Sequence, residues 1–232
     1  MQIALDIGMV FLSYVLGSIP FGLLIVKLKT GKDIRKVESG RTGGTNAMRA
    51  AGFWAGFFTA MSDIIKGAVG AWLGMWLLPD HYWMHVAAAL VAIVGHNYSI
   101  FLPNRDADGK FIGFRGGAGG APSVGGAMGL WIPSILVILP LGALAYFTIG
   151  IASVVTMMVA LFAAVIFAVR AYMEWGPWAY VWYGVGAEIL LIWALRPNIK
   201  KLWNGEERII TISLHGWLKA RREKKAAQSD RR

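Results

Sequence analysis

The stretch Ser39-Gly40-Arg41-Thr42-Gly43-Gly44-Thr45-Asn46-Ala47-Met48-Arg49 brings together residue types that grip an anion. Its glycines let backbone N–H groups approach a ligand, Ser39, Thr42, Thr45 and Asn46 add neutral hydrogen-bonding groups, and Arg41 and Arg49 carry fixed positive charge. Phosphate suits such a set because its oxygens accept from several directions at once. No Gly-Lys-Ser/Thr closes the stretch, so it is not a Walker loop. The competing reading is a flexible, positively charged loop. A second glycine-rich stretch, Phe114-Arg115-Gly116-Gly117-Ala118-Gly119-Gly120-Ala121-Pro122-Ser123, follows Gly95-His96-Asn97-Tyr98 and Asn104 to Lys110. Glycines entering a helix can offer backbone N–H groups to an anion, or simply allow close packing.

Asp63 and Lys66 stand three residues apart, on one face of a helix, inside an apolar run. Each such charge costs about 2.5 to 3.5 kcal/mol at the centre of a membrane helix, so the two are expected to pair or to face a polar cavity. Glu188 has no partner within its own helix, and His96 reads as a hydrogen-bonded structural histidine more readily than as a base.

Several chemistries are excluded. The chain has no cysteine, which removes disulfides, thiolate metal sites and a cysteine acyl-enzyme. None of its histidines is followed five residues later by Asp, Ser123 lacks the first glycine of a nucleophile elbow, and no His and carboxylate cluster has zinc spacing. No metal and no cofactor are expected.

The elements that must position these groups belong to a membrane protein. Of 232 residues, 56% are apolar and only 16% charged, against roughly a quarter charged in soluble domains. All 23 Lys and Arg except Lys66 and Arg170 fall in three blocks, Lys27 to Arg49, Arg105 to Arg115 and Arg196 to Arg232. Basic residues in short loops stay on the cytoplasmic face, so the net charge of +10 is topological and does not indicate nucleic acid. The first apolar run, about Ile3 to Val26, lacks a basic leader and a cleavage site and is expected to be a retained span. Further runs cover about Ala50 to Leu78 and His85 to Leu102, and Gly119 to Leu195 must hold an even number of crossings. Four fit only if several are short or broken, since a full crossing takes about 20 residues; two long tilted spans are the alternative. The fold expected is an all-α polytopic membrane protein of about seven transmembrane helices, with its N-terminus outside and its C-terminus cytoplasmic. It divides into an integral-membrane domain at 1–208 and a basic tail at 209–232, in which Leu214, Trp217 and Leu218 beside Lys219, Arg221, Arg222, Lys224 and Lys225 suit an interfacial helix or a solvated tail. No internal repeat is apparent.

Six blocks, in order, resemble the acyl-phosphate-dependent glycerol-3-phosphate acyltransferases, the PlsY family of bacterial membrane enzymes. They are Gly17-Ser18-Ile19-Pro20-Phe21-Gly22, the Ser39 to Arg49 loop, Asp63-Ile64-Ile65-Lys66-Gly67, Gly95-His96, Gly116 to Gly119, and Asn198-Ile199-Lys200-Lys201-Leu202 with Gly205-Glu206. The resemblance implies seven spans in the bacterial cytoplasmic membrane, a cytoplasm-facing site, and transfer of a fatty acyl group from acyl phosphate to the 1-hydroxyl of glycerol 3-phosphate, releasing lysophosphatidic acid and phosphate. Membrane lipids are the other implied partners. Catalytic roles would fall on Ser39, Arg49 and Asn198, and substrate binding on Gly43, Thr45, Asn46, Gly116, Gly117, Gly119 and Ser153. In the family the substrate's own phosphate is thought to assist deprotonation.

The chain departs from the family pattern where a lysine becomes Ala118, a threonine becomes Pro122 and a histidine becomes Leu195, and Asn104 to Lys110 looks like an insertion. Losing a charge-assisted phosphate contact of about 1.5 to 3 kcal/mol would weaken binding by one to two orders of magnitude unless Arg41, Arg115 or Lys110 substitutes. The departures leave two other readings: a non-catalytic paralogue that binds lipid phosphate or a membrane partner, and a small-anion transporter.

Overall fold

The structure, a computed structural model, describes residues 2–229, with side chains described for 3–222. The first apolar run does not form one helix. It breaks into α1 (Gln2–Ser18) and α2 (Phe21–Thr30) at Ile19-Pro20. Pro20 has no N–H to donate and disfavours helical backbone at the residue before it, so the ladder must open there. Ile19 N–H falls back on Leu16 O at 3.2 Å, and the Ile19 carbonyl accepts from Phe21 N–H at 3.1 Å and from Lys66 Nζ at 2.8 Å.

A short helix, α3 (Gly44–Ala51), turns the chain into α4 (Phe53–Leu77), which is followed by α5 (Tyr82–Asn97). Glycines set how closely these helices meet. A methyl on Gly17 of α1 would strike the backbone of Ala92 in α5, and one on Gly70 of α4 would press on Ala92 and Ala88. Small residues let membrane helices approach in this way.

The expected all-α fold needs one correction. Beyond α5 the chain forms a two-stranded antiparallel hairpin, β1 (Pro103–Arg105) and β2 (Phe111–Phe114), with a register shift between Asn104 and Arg105. Of the residues expected as an insertion, Asn104 and Arg105 belong to β1 and Asp106 to Lys110 form the turn. Asp106 Oδ1 accepts from the N–H groups of Asp108 at 3.1 Å and Lys110 at 2.9 Å, and Gly109 takes a positive φ of 78°. An Asp that satisfies backbone donors beside a glycine is turn chemistry, and Phe111, Ile112 and Phe114 favour strand.

Between Gly119 and Leu195 lie α6 (Gly120–Leu130), α7 (Ile135–Ile149), α8 (Ala152–Tyr172) and the start of α9 (Ala179–Trp203). With 11 residues, α6 reaches only about 16 Å, half the apolar thickness of a bilayer. It sits inside the bundle, where Ile93, Val124, Phe167, Tyr183 and Leu191 form the main core and Tyr183 Oη donates to Ser123 O at 2.6 Å. The α9 helix does not stop near Leu195 but runs through Pro197, so Asn198 and Lys201 project from a helix and not from a loop.

The 209–232 tail is not free at its start. Ile210 N–H donates to Gly150 O at 2.7 Å and Ile209 bridges to Ile151, before α10 (Leu214–Ser229) begins. Leu214, Trp217 and Leu218 are exposed along it, and the Arg221 guanidinium lies 5.2 Å from the Trp217 ring. The side chains of Lys224 and Lys225 lie outside the described residues. Ile3–Thr30 and Ala152–Tyr172 are long and apolar enough to cross a membrane.

Candidate active site

Five pieces of chain converge at one end of the bundle. The stretch from Glu38 to Arg49 runs from a loop into α3, Ala118 lies just before α6, and Ala152, Ser153 and Thr156 open α8. Leu195, Asn198 and Lys201 come from the end of α9, and Glu206, Glu207 and Arg208 fold back beneath Gly150. Together they enclose a cavity of about 290 Å³.

Of the ten residues expected in the site, Ser39, Gly43, Thr45, Asn46, Arg49, Ser153 and Asn198 line this cavity. Two helices start there, α3 at Gly44 and α8 at Ala152. Unsatisfied N–H groups and the positive end of the helix dipole make such starts favourable for anions. Arg41, Arg49, Lys201 and Arg208 add positive charge. Ser153 is 3% exposed, and its Oγ has no hydrogen-bond partner. A buried hydroxyl left unpaired beside a cavity is ready to bond a ligand.

Asn46 organises the loop. Its Nδ2 reaches the carbonyls of Ile34 at 3.2 Å, Val37 at 3.0 Å and Arg41 at 2.8 Å, while its Oδ1 is unpartnered. Asp33 caps the 3₁₀ turn at Ile34–Lys36, and the neighbouring Arg35 guanidinium holds its carboxyl below the usual carboxylate range.

The Gly116 to Gly119 stretch is mostly spent on packing. Gly117 N–H donates to His96 O at 2.9 Å, Gly116 O accepts from Thr42 N–H at 3.4 Å, and a methyl on Gly117 would collide with the His96 ring. Gly116 and Gly117 line a second cavity of about 470 Å³ with Asn97, Arg115, Trp193 and Arg196. Gly119 lines neither cavity and takes a positive φ of 90° before α6. The Gly117 N–H is therefore spent within the protein, while Gly116 and Gly117 both face a cavity.

Behind the glycines, the expected Asp63–Lys66 pair forms at 2.9 Å and is almost fully buried. His96 Nδ1 lies 3.4 Å from the same carboxylate oxygen, so a His–Asp contact exists although the two are 33 residues apart. His96 lines neither cavity and serves as the wall against which Gly117 packs. The Glu188 Oε2 is buried without a partner.

Among the lining residues outside the expected site, Glu207 and Arg41 are both hydrogen-bonded to Asn198. Glu207 accepts from Asn198 Nδ2 at 3.0 Å, and Arg41 donates to Gly117 O at 3.1 Å, Ala194 O at 2.7 Å and Asn198 Oδ1 at 3.3 Å. Burial, and then the nearby Arg115, pull the Arg41 guanidinium below its ordinary value. Arginine starts so high that it stays charged.

A family model described as glycerol-3-phosphate acyltransferase matches residues 7–205. The chain belongs to this family. A glycerol-3-phosphate acyltransferase of Rubrobacter xylanophilus is 34% identical over 204 residues, covering 88% of this chain and 94% of the relative. One of Symbiobacterium thermophilum is 44% identical over 140 residues, covering 60% and 63%. Among solved structures, PlsY, an integral membrane glycerol 3-phosphate acyltransferase, matches in its glycerol 3-phosphate form with a TM-score of 0.74 and 27% identity, covering 88% of this chain and 95% of that one. Its lysophosphatidic acid form matches with a TM-score of 0.73 and 25% identity. This member of the family is therefore a mostly helical membrane protein, and its α10 lies beyond the residues that the family model matches.

Proposed function

We propose that this chain transfers a fatty acyl group from acyl phosphate to the 1-hydroxyl of glycerol 3-phosphate. The observation that carries the reading is the 290 Å³ cavity, where two helix starts, several cations and the unpartnered Ser153 hydroxyl converge. It suits a phosphorylated polyol. Membership of the acyltransferase family supports the chemistry.

In this reading Arg49, Thr45, Gly43 and the α3 start hold the phosphate of glycerol 3-phosphate. Ser39 and Asn198 orient the reacting groups. The 1-hydroxyl oxygen attacks the carbonyl carbon of acyl phosphate, the bond from that carbon to the phosphate oxygen breaks, and phosphate leaves. The hydroxyl proton passes to a phosphate oxygen, so lysophosphatidic acid and phosphate are the products. A mixed anhydride already carries a good leaving group, so positioning and charge stabilisation supply most of the rate.

The membrane disposition follows the charges. Seven spans are α1 with α2, α4, α5, the short α6, α7, α8 and α9, with the amino terminus outside and the site under the inner leaflet of the bacterial plasma membrane. The α10 helix lies on that leaflet, its Trp217 and Leu218 in the interface and Lys219 and Arg221 toward anionic headgroups.

Liposomes containing the protein are given labelled glycerol 3-phosphate with and without acyl phosphate. Acyl transfer predicts labelled lysophosphatidate only when the donor is present. Label accumulating inside without any donor would replace this reading with transport.

A further inference from the structure

We infer that Arg41 is the fixed cation of this site, holding substrate phosphate where the chain has no charge at position 118. The inference rests on the acyltransferase reading for its substrate, glycerol 3-phosphate, but on geometry for its residue.

Four cations line the first cavity, and they are not alike. Arg49 and Lys201 are exposed, and Arg208 is exposed and tied to Glu38 at 3.0 Å. Arg41 alone among them is half-buried and held by three hydrogen bonds to other parts of the fold. Its anchors are the carbonyls of Gly117 and Ala194, the residues directly before Ala118 and Leu195. Both of those positions line the cavity with apolar side chains. The guanidinium is thus clamped against the backbone at the two places where the lining is uncharged.

Arg41 also lines the second cavity, as do Ser39, Asn198 and Lys201. Three of its five N–H groups are used on the protein, which leaves donors and the whole positive charge for a ligand. A guanidinium fixed before the ligand arrives loses little entropy on binding, and its fork matches phosphate oxygens. Glu207 lines the first cavity and would repel a dianion, which makes a fixed counter-charge beside Asn198 more important.

The alternative is that Arg41 only ties the loop to α9. The two roles separate in a cycle of Arg41→Gln, Ala118→Lys and the double variant, each checked for its melting temperature in detergent. Glycerol 3-phosphate binding is read by calorimetry without donor, and KM and kcat with acyl phosphate. Arg41→Gln should weaken binding and raise KM by about ten- to a hundredfold with a smaller change in kcat. Adding Ala118→Lys to that variant should recover most of the loss, because a lysine there restores charge and none of the carbonyl ties. Unchanged KM in Arg41→Gln, or a loss that Ala118→Lys does not recover, overturns the inference. Should Arg41→Gln not fold, Arg41→Lys carries the test: it keeps the charge and should stay within about tenfold of the parent, and a larger loss contradicts the role. A parent protein that binds glycerol 3-phosphate through Arg41 but makes no lysophosphatidate would strike the acyl-transfer reading and leave this one standing.

Discussion

Lys66 Nζ donates to the carbonyl of Ile19 at 2.8 Å, at the point where Pro20 opens the first helix. The same ammonium stands 2.9 Å from Asp63 Oδ1. One buried cation therefore serves two acceptors, a carboxylate inside the bundle and a backbone carbonyl at the helix break. Lys66→Met should lower stability by about 3 to 5 kcal/mol, because it takes the ammonium from a buried carboxylate, leaving Asp63 with His96 and the Ile19 carbonyl with the Phe21 N–H alone. Adding Asp63→Asn should return part of that loss, and melting curves of the two variants in detergent check it.

The glycines divide into those that pack and those that line. Gly117→Ala forces a methyl into the His96 ring and should destabilise by about 1 to 3 kcal/mol. Gly43 has no atom within 4 Å of where its methyl would sit and has an ordinary φ of −82°. Gly43→Ala should therefore melt like the parent, and a change in KM without a change in melting would read the lining of the cavity.

The substrate's charge sets a pH dependence. A phosphate monoester loses its second proton near pH 6, so the dianion that a cationic cavity prefers disappears as pH falls below that value. KM for glycerol 3-phosphate should rise between pH 7 and pH 5. The loop itself stays intact over that window. The Asp33 carboxyl lies below its ordinary pKa of 3.8 because of Arg35, so its contribution is complete above that value and is lost only as pH falls further. Kinetics across this range, with circular dichroism at each pH, separate the two effects.

Topology is testable because the natural chain has no cysteine. Single cysteines at Asp80, between α4 and α5, and at Asp106, in the hairpin turn, should label from opposite sides of sealed vesicles. A membrane-impermeant maleimide applied to intact cells should reach only position 80. Labelling of position 106 from outside would reverse the orientation.

Much of the helical order was readable, because apolar length and the basic blocks report directly on membrane crossing. The Ser39 to Arg49 loop was readable for a similar reason: its chemistry is local, and most of its chosen residues line one cavity. What escaped depends on contacts distant in sequence. Arg41 is anchored on carbonyls 76 and 153 residues away, and carbonyl acceptors leave no mark in residue type. The Asp63–His96 contact crosses from α4 to α5, so no short motif contains it. The break at Pro20 hid inside an apolar run whose composition does not change, and the hairpin hid in a stretch read as an insertion.

The central claim is that glycerol 3-phosphate, its phosphate held beside Arg49, receives an acyl group on its 1-hydroxyl. Purified protein in anionic liposomes is supplied with acyl phosphate and labelled glycerol 3-phosphate, alongside Arg49→Ala. The account predicts labelled lysophosphatidate from the parent and at least a tenfold fall in kcat/KM for the variant, about 1.4 kcal/mol or more of lost transition-state stabilisation. Equal product from both proteins, or none from either, would contradict it.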